Sequence, residues 1–209
     1  MSSMQNTKRV IAYVDGFNLY FGLREKKWKR YYWLNIQALI ESIIKPDQKL
    51  VTTKYFTSRV KAPGDKVRRQ STFLEALGTL ADFEIKYGKY QFNPRTCVHC
   101  GHEDQLPSEK MSDVNIATAL MVDAFRNRFD TALLISADSD LLAPITAIKQ
   151  EFPRKWVVVV FPPASHSVDL ENVADVSFTL GRAKIAHCLF PPEVTKPDGF
   201  ILRCPEEWR

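Results

Sequence analysis

Four acids and one amide occupy the points where apolar segments of this sequence end or where a helix is predicted to begin. They are Asp15, Asn18, Asp113, Asp138 and Asp140. Carboxylates that share one pocket repel each other, and all of them stay ionised only when a cation compensates their charge. Oxygen ligands of this kind suit Mg²⁺ or Mn²⁺, ions that activate water and stabilise charge at phosphorus. The residue types therefore indicate a metal-dependent chemistry at phosphodiester bonds.

The elements around these residues predict that they meet at one edge of a sheet. Residues 8–14 read as a strand that ends at Asp15, with Gly16 allowing a tight turn, and residues 131–136 read as a buried strand just before Asp138. The carboxyl ends of parallel strands form the usual site of open α/β sheets. Asp113 would join them from the first turn of a long helix over 112–126, where Ser112 is the predicted cap.

Strands alternate with helices along the chain, which predicts a three-layer α/β/α fold with a central, mainly parallel sheet. The predicted strands are 8–14, 50–57, 83–87, 131–136, 156–161 and 176–180, and the predicted helices are 17–23, 36–44, 63–80, 112–126, 139–150 and 168–173. Residues 1–190 would form one domain with an inserted loop or knuckle at about 91–108. Residues 191–209 would form a tail that packs on this domain.

Each acid also has an ordinary structural interpretation. Asp15 can be a turn residue, Asp113 a first-turn acid, and Asp138 with Asp140 an N-cap and its neighbour. The combination is less ordinary, since three separate elements would deliver acids to one edge. Asp123 is left out of the site, because ten residues along a helix rotate it by about 80° from Asp113 and place it more than two turns away.

The sequence resembles the NYN-domain proteins, a branch of the PIN-like nucleases. The matching segments are YVDGFNLY at 13–20, EKMSDV at 109–114, LISADSDL at 134–141 and the ending RCPEEW at 203–208. The resemblance implies a PIN-like fold, an acidic metal site and RNA cleavage, with Asp15, Asp113, Asp138 and Asp140 as the acids and Asn18 as the amide. One departure is that the family often has Lys-Gly-Val-Asp where this chain has Lys110-Met-Ser-Asp113, which puts in question the turn that directs Asp113.

A second constellation, CVHCGH at residues 97–102, has the C-x₂-C spacing of a zinc knuckle. Cys97 and Cys100 would be ligands of a structural Zn²⁺, with His102 or His99 as a third. Cys188, Cys204, a distant histidine or a partner chain would supply the fourth. The alternative is a loop with two reduced thiols and no metal.

Basic residues suggest where RNA would lie. The formal net charge is +5 and the pI is about 9.0, which favours an anionic partner. The candidates for phosphate contact are Arg59, Lys61, Arg68, Arg69 and Lys110. A second basic group at 24–30 is interleaved with aromatic residues that could stack on bases. A solvated charged surface over core aromatics is the alternative for both groups.

The sequence leaves three functions open. The first is a metal-dependent endoribonuclease, and the second is an RNA-binding or scaffold protein with little turnover. The third, a phosphatase or nucleotide-sugar enzyme using Asp138 and Asp140, ranks last because such Asp-x-Asp pairs usually follow the first strand. We find no signal peptide and no apolar run of about 18 residues, and we expect a cytoplasmic protein with reduced cysteines. A homodimer is compatible with the sequence, since two-fold assemblies are common.

Overall fold

A computed structural model of the chain describes residues 7–61, 64–96, 99–101 and 103–209. The strands that these residues form are β1 (Lys8–Asp15), β2 (Gln48–Thr57), β3 (Phe83–Tyr87), β4 (Lys89–Thr96), β5 (Glu103–Lys110), β6 (Thr131–Ile135), β7 (Trp156–Phe161), β8 (Val176–Thr179), β9 (Glu193–Thr195) and β10 (Ile201–Arg203). The helices are α1 (Gly16–Glu25), α2 (Ile36–Glu41), α3 (Gly64–Leu77), α4 (Ser112–Phe125), α5 (Leu142–Glu151), α6 (Val168–Val173) and α7 (Arg182–Ala186).

The core of the fold is a six-stranded sheet in the order β3-β2-β1-β6-β7-β8. Every neighbouring pair in this sheet is parallel. β1 lies at its centre, between β2 and β6, so the carboxyl ends of these three strands lie side by side. This confirms the predicted three-layer α/β architecture around a parallel sheet.

Side chains of β1 alternate between two apolar layers, as expected for a strand covered on both faces. Val10, Ala12 and Val14 face one layer, which includes residues of α1, α2, α3 and α7. Ile11 and Tyr13 face the other layer, which includes residues of α4, α5 and α6. The sheet is therefore buried on both sides, and its carboxyl edge is where polar groups become accessible.

An antiparallel hairpin lies where the sequence predicted an irregular insertion. β4 and β5 pair over their full length, from Lys89 opposite Lys110 to Thr96 opposite Glu103. Pro94 and Pro107 argued against strands in the sequence, because proline cannot donate to a sheet ladder. In a ribbon of two strands each strand keeps one edge free of ladder bonds, so proline is tolerated there.

The end of the chain forms a second small hairpin, β9 with β10, so β8 is not the last strand as the sequence suggested. Trp208 then packs its ring against Tyr32, Trp33 and Phe73. Trp33 in turn donates its indole N–H to the carbonyl oxygen of Pro191 at 2.7 Å. These contacts bury the chain's end in the layer formed by α1, α2 and α3.

Within the described ranges, none of the helices combines the length and apolar character required to span a membrane.

Candidate acidic site at the carboxyl edge of the sheet

Asp15 links the central strand to the first helix. It is the last residue of β1 and the N-cap of α1, and its carboxylate accepts the backbone N–H of Asn18 at 2.9 Å. Gly16 is needed directly after it, since a Cβ there would lie 2.5 Å from Cζ of Tyr55 and 2.8 Å from the carbonyl oxygen of Phe56. The glycine therefore serves a close approach between α1 and β2, whereas the sequence had suggested a tight turn.

Ser136 connects the two acidic motifs, and the sequence analysis gave it no role. Its hydroxyl donates to Oδ2 of Asp15 at 3.1 Å and accepts the backbone N–H of Asp138 at 3.1 Å. Asn18 makes a second connection, because its Oδ1 accepts the N–H of Ala137 at 3.2 Å. The signal in the sequence was weak: a serine at the end of an apolar run, two residues before the acid.

Asp138 and Asp140 lie on a short 3₁₀ turn, Ser139–Leu141, that precedes α5. Asp138 caps this turn by accepting the N–H of Asp140 at 2.9 Å. The sequence predicted one continuous helix from residue 139, whereas the first turn is 3₁₀ and the α-helix begins at Leu142. The capping interpretation of Asp138 thus holds together with its position at the sheet edge.

Asp113 reaches this edge from the first turn of α4. The helix begins at Ser112, so the N-cap is Met111 and the predicted cap at Ser112 is wrong by one position. Met111 has φ +78°, a left-handed conformation that glycine adopts readily and methionine does not. Met111, which stands where the family often has glycine, therefore adopts a conformation that glycine would adopt with less backbone strain.

The three acids Asp113, Asp138 and Asp140 form a compact cluster. Each contributes a carboxylate oxygen to a group whose members lie within 4.8 Å of one another. Asp15 is not a member of this group but lies deeper and closer to the sheet, with only 4 % of its surface exposed. In the described part of the chain, no lysine, arginine or histidine forms an ion pair with any of the four acids.

The pKa values of two acids in this pocket are raised by burial and by the charges of neighbouring acids. Burial raises the pKa of Asp15 from 3.8 to about 6, and the nearby charges of Asp113 and Asp138 add to the effect against two opposing hydrogen bonds. Burial and the charges of Asp138 and Asp140 also raise the pKa of Asp113. Such a pocket favours a bound cation, which would let all the carboxylates ionise.

Asp123 takes no part in this cluster, in agreement with the helical geometry that excluded it. It lies two turns further along α4, where it accepts Nζ of Lys54 at 2.5 Å and the hydroxyl of Tyr13 at 2.7 Å. Arg128 adds a third contact at 3.2 Å. Asp123 is therefore a buried structural acid.

The basic residues predicted to contact RNA fall into two kinds. Arg59, Lys61 and Lys110 are exposed, and the guanidinium of Arg59 lies 4.9 Å from the ring centre of Tyr87. Arg68 pairs with Asp65 at 3.3 Å, and Arg69 pairs with Glu207 at 2.7 Å. Of the aromatic residues beside the second basic group, Tyr31 and Trp33 are core residues, which agrees with the alternative of core aromatics under a charged surface.

The zinc prediction concerns residues of which two are not described. Cys97 and His102 lie outside the described residues, whereas Cys100 is an exposed free thiol. Cys188 and Cys204 are buried free thiols in the apolar layer with α1 and α2. The zinc knuckle stays a prediction.

A cavity of about 560 Å³ lies on the side of the sheet covered by α1 and α3. Gly16 and Thr57, at the carboxyl edge, form part of its wall. Its aromatic members include Phe17, Tyr20, Phe21, Tyr55, Phe73 and Trp208, and its cations are Arg24, Lys29, Lys66 and Arg69. We refer to it below as the aromatic cavity.

A family model described as the NYN domain matches residues 9–181. The chain belongs to the NYN-domain family. The match contains β1 with Asp15 and Asn18, the start of α4 with Asp113, and the turn with Asp138 and Asp140. An NYN domain suggests a PIN-like nuclease, and nucleases of this kind typically use divalent metals, for which the three-acid cluster supplies oxygen ligands.

Two further comparisons place this NYN domain among known proteins. It is 27 % identical over 242 aligned positions to the 6-hydroxy-3-succinoylpyridine 3-monooxygenase HspA of Pseudomonas putida, covering 96 % of this chain and 75 % of that protein. A crystal structure of a protein of unknown function from Vibrio parahaemolyticus has a TM-score of 0.58 and 22 % identity, over 87 % of this chain and 98 % of the other. The second likeness concerns the fold alone.

Proposed function

We propose that this NYN-domain protein is a metal-dependent endoribonuclease that cleaves RNA phosphodiesters at the carboxyl edge of its sheet. The observation that carries the proposal is the uncompensated acidic cluster: four carboxylates from three separate elements, with no ion-paired cation among the described residues. A fold gains nothing in stability from such a cluster, because like charges repel. The arrangement is explained if a ligand supplies the missing positive charge.

The donor set fits a divalent cation of the hard kind. Asp113, Asp138 and Asp140 would hold Mg²⁺ or Mn²⁺, since their oxygens already lie within 4.8 Å of one another. Such an ion would stabilise the charge that develops on phosphate oxygens during cleavage. Asp15, which lies deeper, would add negative charge to the same pocket and orient α1.

Asn18 and Ser136 would position the reacting groups. Because Oδ1 of Asn18 accepts the N–H of Ala137, the amide is oriented with its NH₂ group available to donate to a ligand, which suits a phosphate oxygen. Ser136 fixes the relative position of the Asp15 carboxylate and the Asp138 backbone. These two neutral side chains would keep the acids in place when the charge of the pocket changes on binding.

RNA would approach over the exposed cations near this edge. Arg59 and Lys61 follow the carboxyl end of β2, beside β1, and Lys110 lies three residues before Asp113. Their positions suit contacts with phosphates on either side of the cluster. Arg68 and Arg69 would contribute less, since each already pairs with an acid.

The test is cleavage of labelled single-stranded and structured RNAs in Mn²⁺, Mg²⁺ or EDTA, with Asp138→Asn and Asp15→Asn as variants. We expect metal-dependent cleavage that falls by about a hundredfold or more in each variant. Asp47→Asn is the matched control, because Asp47 is an exposed acid just before β2, at the opposite edge of the sheet. Equal cleavage by all four proteins would overturn the proposal. RNA binding without cleavage would instead favour the RNA-binding or scaffold role.

A second candidate is oxygenation of a small aromatic molecule, the reaction class in the printed name of the Pseudomonas putida relative. The observation that favours it is the aromatic cavity, whose volume of about 560 Å³ is in the range of small-molecule sites. It ranks second because it assigns no role to the acidic cluster. A test is consumption of 6-hydroxy-3-succinoylpyridine and O₂ with an added two-electron reductant, where no turnover would remove this candidate.

A further inference from the structure

The aromatic cavity is a candidate ligand site in its own right. It differs from the acidic cluster in every chemical respect: its lining combines six or more aromatic rings with four cations, and no acid is among its described lining residues. The cluster would bind a cation, whereas the rings and cations of this lining are chemically complementary to an aromatic ring that carries negative charge.

Two of the rings that line the cavity are exposed. Tyr20 and Phe21 are neighbours on α1, with 39 % and 49 % of their surfaces exposed. Their ring centres are 5.4 Å apart, and Tyr20 lies 5.1 Å from Tyr32. Large aromatic side chains left accessible beside a cavity commonly mark a binding surface.

The cations of the cavity differ in how far they are already neutralised. Arg69 is paired with Glu207, whereas Arg24, Lys29 and Lys66 are exposed and form no ion pair within the residues the structure describes. Arg24 lies 5.9 Å from the ring centre of Phe21, so one cation stands directly beside a stacking surface. This combination of rings and cations is the usual one for single-stranded nucleic acid.

Position along the chain connects the cavity to the acidic cluster. Gly16 is part of the cavity wall and directly follows Asp15, and Thr57 ends the neighbouring strand β2. A nucleotide bound in the cavity would therefore place its strand next to the acids. We propose that the aromatic cavity binds one unpaired nucleotide of single-stranded RNA, with its base among the aromatic rings and its phosphate on Arg24 and Lys29. This rests on the proposed ribonuclease function for the identity of the strand.

The experiment measures binding in EDTA, so that it does not depend on cleavage. The probes are a labelled single-stranded RNA 12-mer, the same sequence as a duplex, a 5′-mononucleotide and 6-hydroxynicotinate as a free aromatic acid. Anisotropy reports the RNAs, and quenching of tryptophan fluorescence reports the small ligands, since Trp208 is part of the cavity wall. We expect the single strand to bind more tightly than the duplex and the mononucleotide to quench.

Three variants decide the assignment. Tyr20→Ala/Phe21→Ala should weaken single-strand binding by about tenfold through lost stacking, while Tyr20→Phe, which keeps the ring, should bind as the wild type. Arg24→Gln/Lys29→Gln should make the slope of log K against the logarithm of the salt concentration shallower by about two. Phe125→Ala is the matched control, an 81 % exposed aromatic at the end of α4 on the other layer, and it should change nothing.

Two results would overturn the proposal. One is single-strand binding that is unchanged in both double variants. The other is saturable quenching by 6-hydroxynicotinate without quenching by the mononucleotide, which would assign the cavity to a small aromatic acid. Nucleotide binding without any RNA cleavage would leave this assignment standing and count against the ribonuclease alone.

Discussion

Two buried aspartates, Asp15 and Asp123, lie in opposite charge environments in this fold. Only 4 % of Asp15 and 1 % of Asp123 is exposed. Asp123 accepts hydrogen bonds from Lys54, Arg128 and the Tyr13 hydroxyl, so its charge is compensated from within the protein. Among the residues that the structure describes, Asp15 accepts bonds from the backbone N–H of Asn18 and from the Ser136 hydroxyl, both neutral, and it lies near two further acids.

The difference separates a carboxylate whose charge is compensated within the protein from one that has only neutral hydrogen-bond donors among the described residues. The charges of Asp123 and Lys54 compensate each other, while burial and the hydrogen bond to Asp123 raise the pKa of the Tyr13 phenol. Under the proposed function, a divalent cation would compensate the charge of the pocket that contains Asp15. Burial is common to both acids. The charge of the neighbouring groups is what distinguishes Asp15 from Asp123.

The largest effect is expected from removing the charge of Asp123. In Asp123→Asn the ammonium of Lys54 stays buried without a counter-charge, and breaking a buried pair in this way destabilises by about 3–5 kcal/mol. Urea unfolding in EDTA at pH 8 measures it. Lys54→Met/Asp123→Leu is the control, since removing both charges should restore much of the loss. A single variant as stable as the wild type would contradict the assigned role of Asp123.

The same substitution at Asp15 should change the free energy of unfolding in the opposite direction. The folded-state pKa of about 6 lies above the usual 3.8, so the stability linked to this group is present below pH 4 and is lost as the pH rises through 6. Asp15→Asn removes that loss and keeps the oxygen that caps α1. We expect the variant to be about 2–3 kcal/mol more stable than the wild type at pH 8 in EDTA, and equally stable at pH 4. Destabilisation at pH 8 would break the comparison with Asp123.

A divalent cation should compensate the negative charge of the acidic cluster, as Lys54 compensates that of Asp123. At an Mn²⁺ concentration of ten times the Kd, binding to the folded state alone adds about 1.4 kcal/mol of stability. Thermal unfolding in Mn²⁺ and in EDTA measures this gain. Asp138→Asn/Asp140→Asn should abolish it, while Asp47→Asn should keep it. A gain of equal size in the double variant would place the ion elsewhere on the molecule.

The smallest effect concerns the backbone that directs Asp113 into the cluster. Met111→Gly relieves a left-handed conformation at φ +78° and should stabilise the protein by up to about 1 kcal/mol. Met111→Ala is the control, because alanine keeps the strain while it shortens the side chain. A gain from alanine that matches the gain from glycine would mean that the backbone is not strained at this position. The Mn²⁺ response should be the same in all three proteins.

The sequence predicted the parts of this site that depend on periodicity along the chain. Apolar runs ending at Asp15 and before Asp138 led to the carboxyl edge of a parallel sheet, and the rotation of α4 kept Asp123 out of the cluster. It failed for β4 and β5, where prolines in a two-stranded ribbon resemble a loop. The cap of α4 was predicted at Ser112 because serine is a preferred N-cap residue. The left-handed conformation that makes Met111 the N-cap has no signal in the sequence.

By itself the sequence determined the parallel α/β fold, its NYN-domain family and the acids at the sheet edge, because these follow from local patterns and short motifs. Only the tertiary structure decided which buried acid is compensated, since Lys54 and Asp123 are 69 residues apart in the chain. It alone revealed the Ser136 bridge across 121 residues and the cavity between α1, β2 and the end of the chain. Charge balance and cavity shape depend on which distant side chains meet, and no pattern along the chain specifies those pairs.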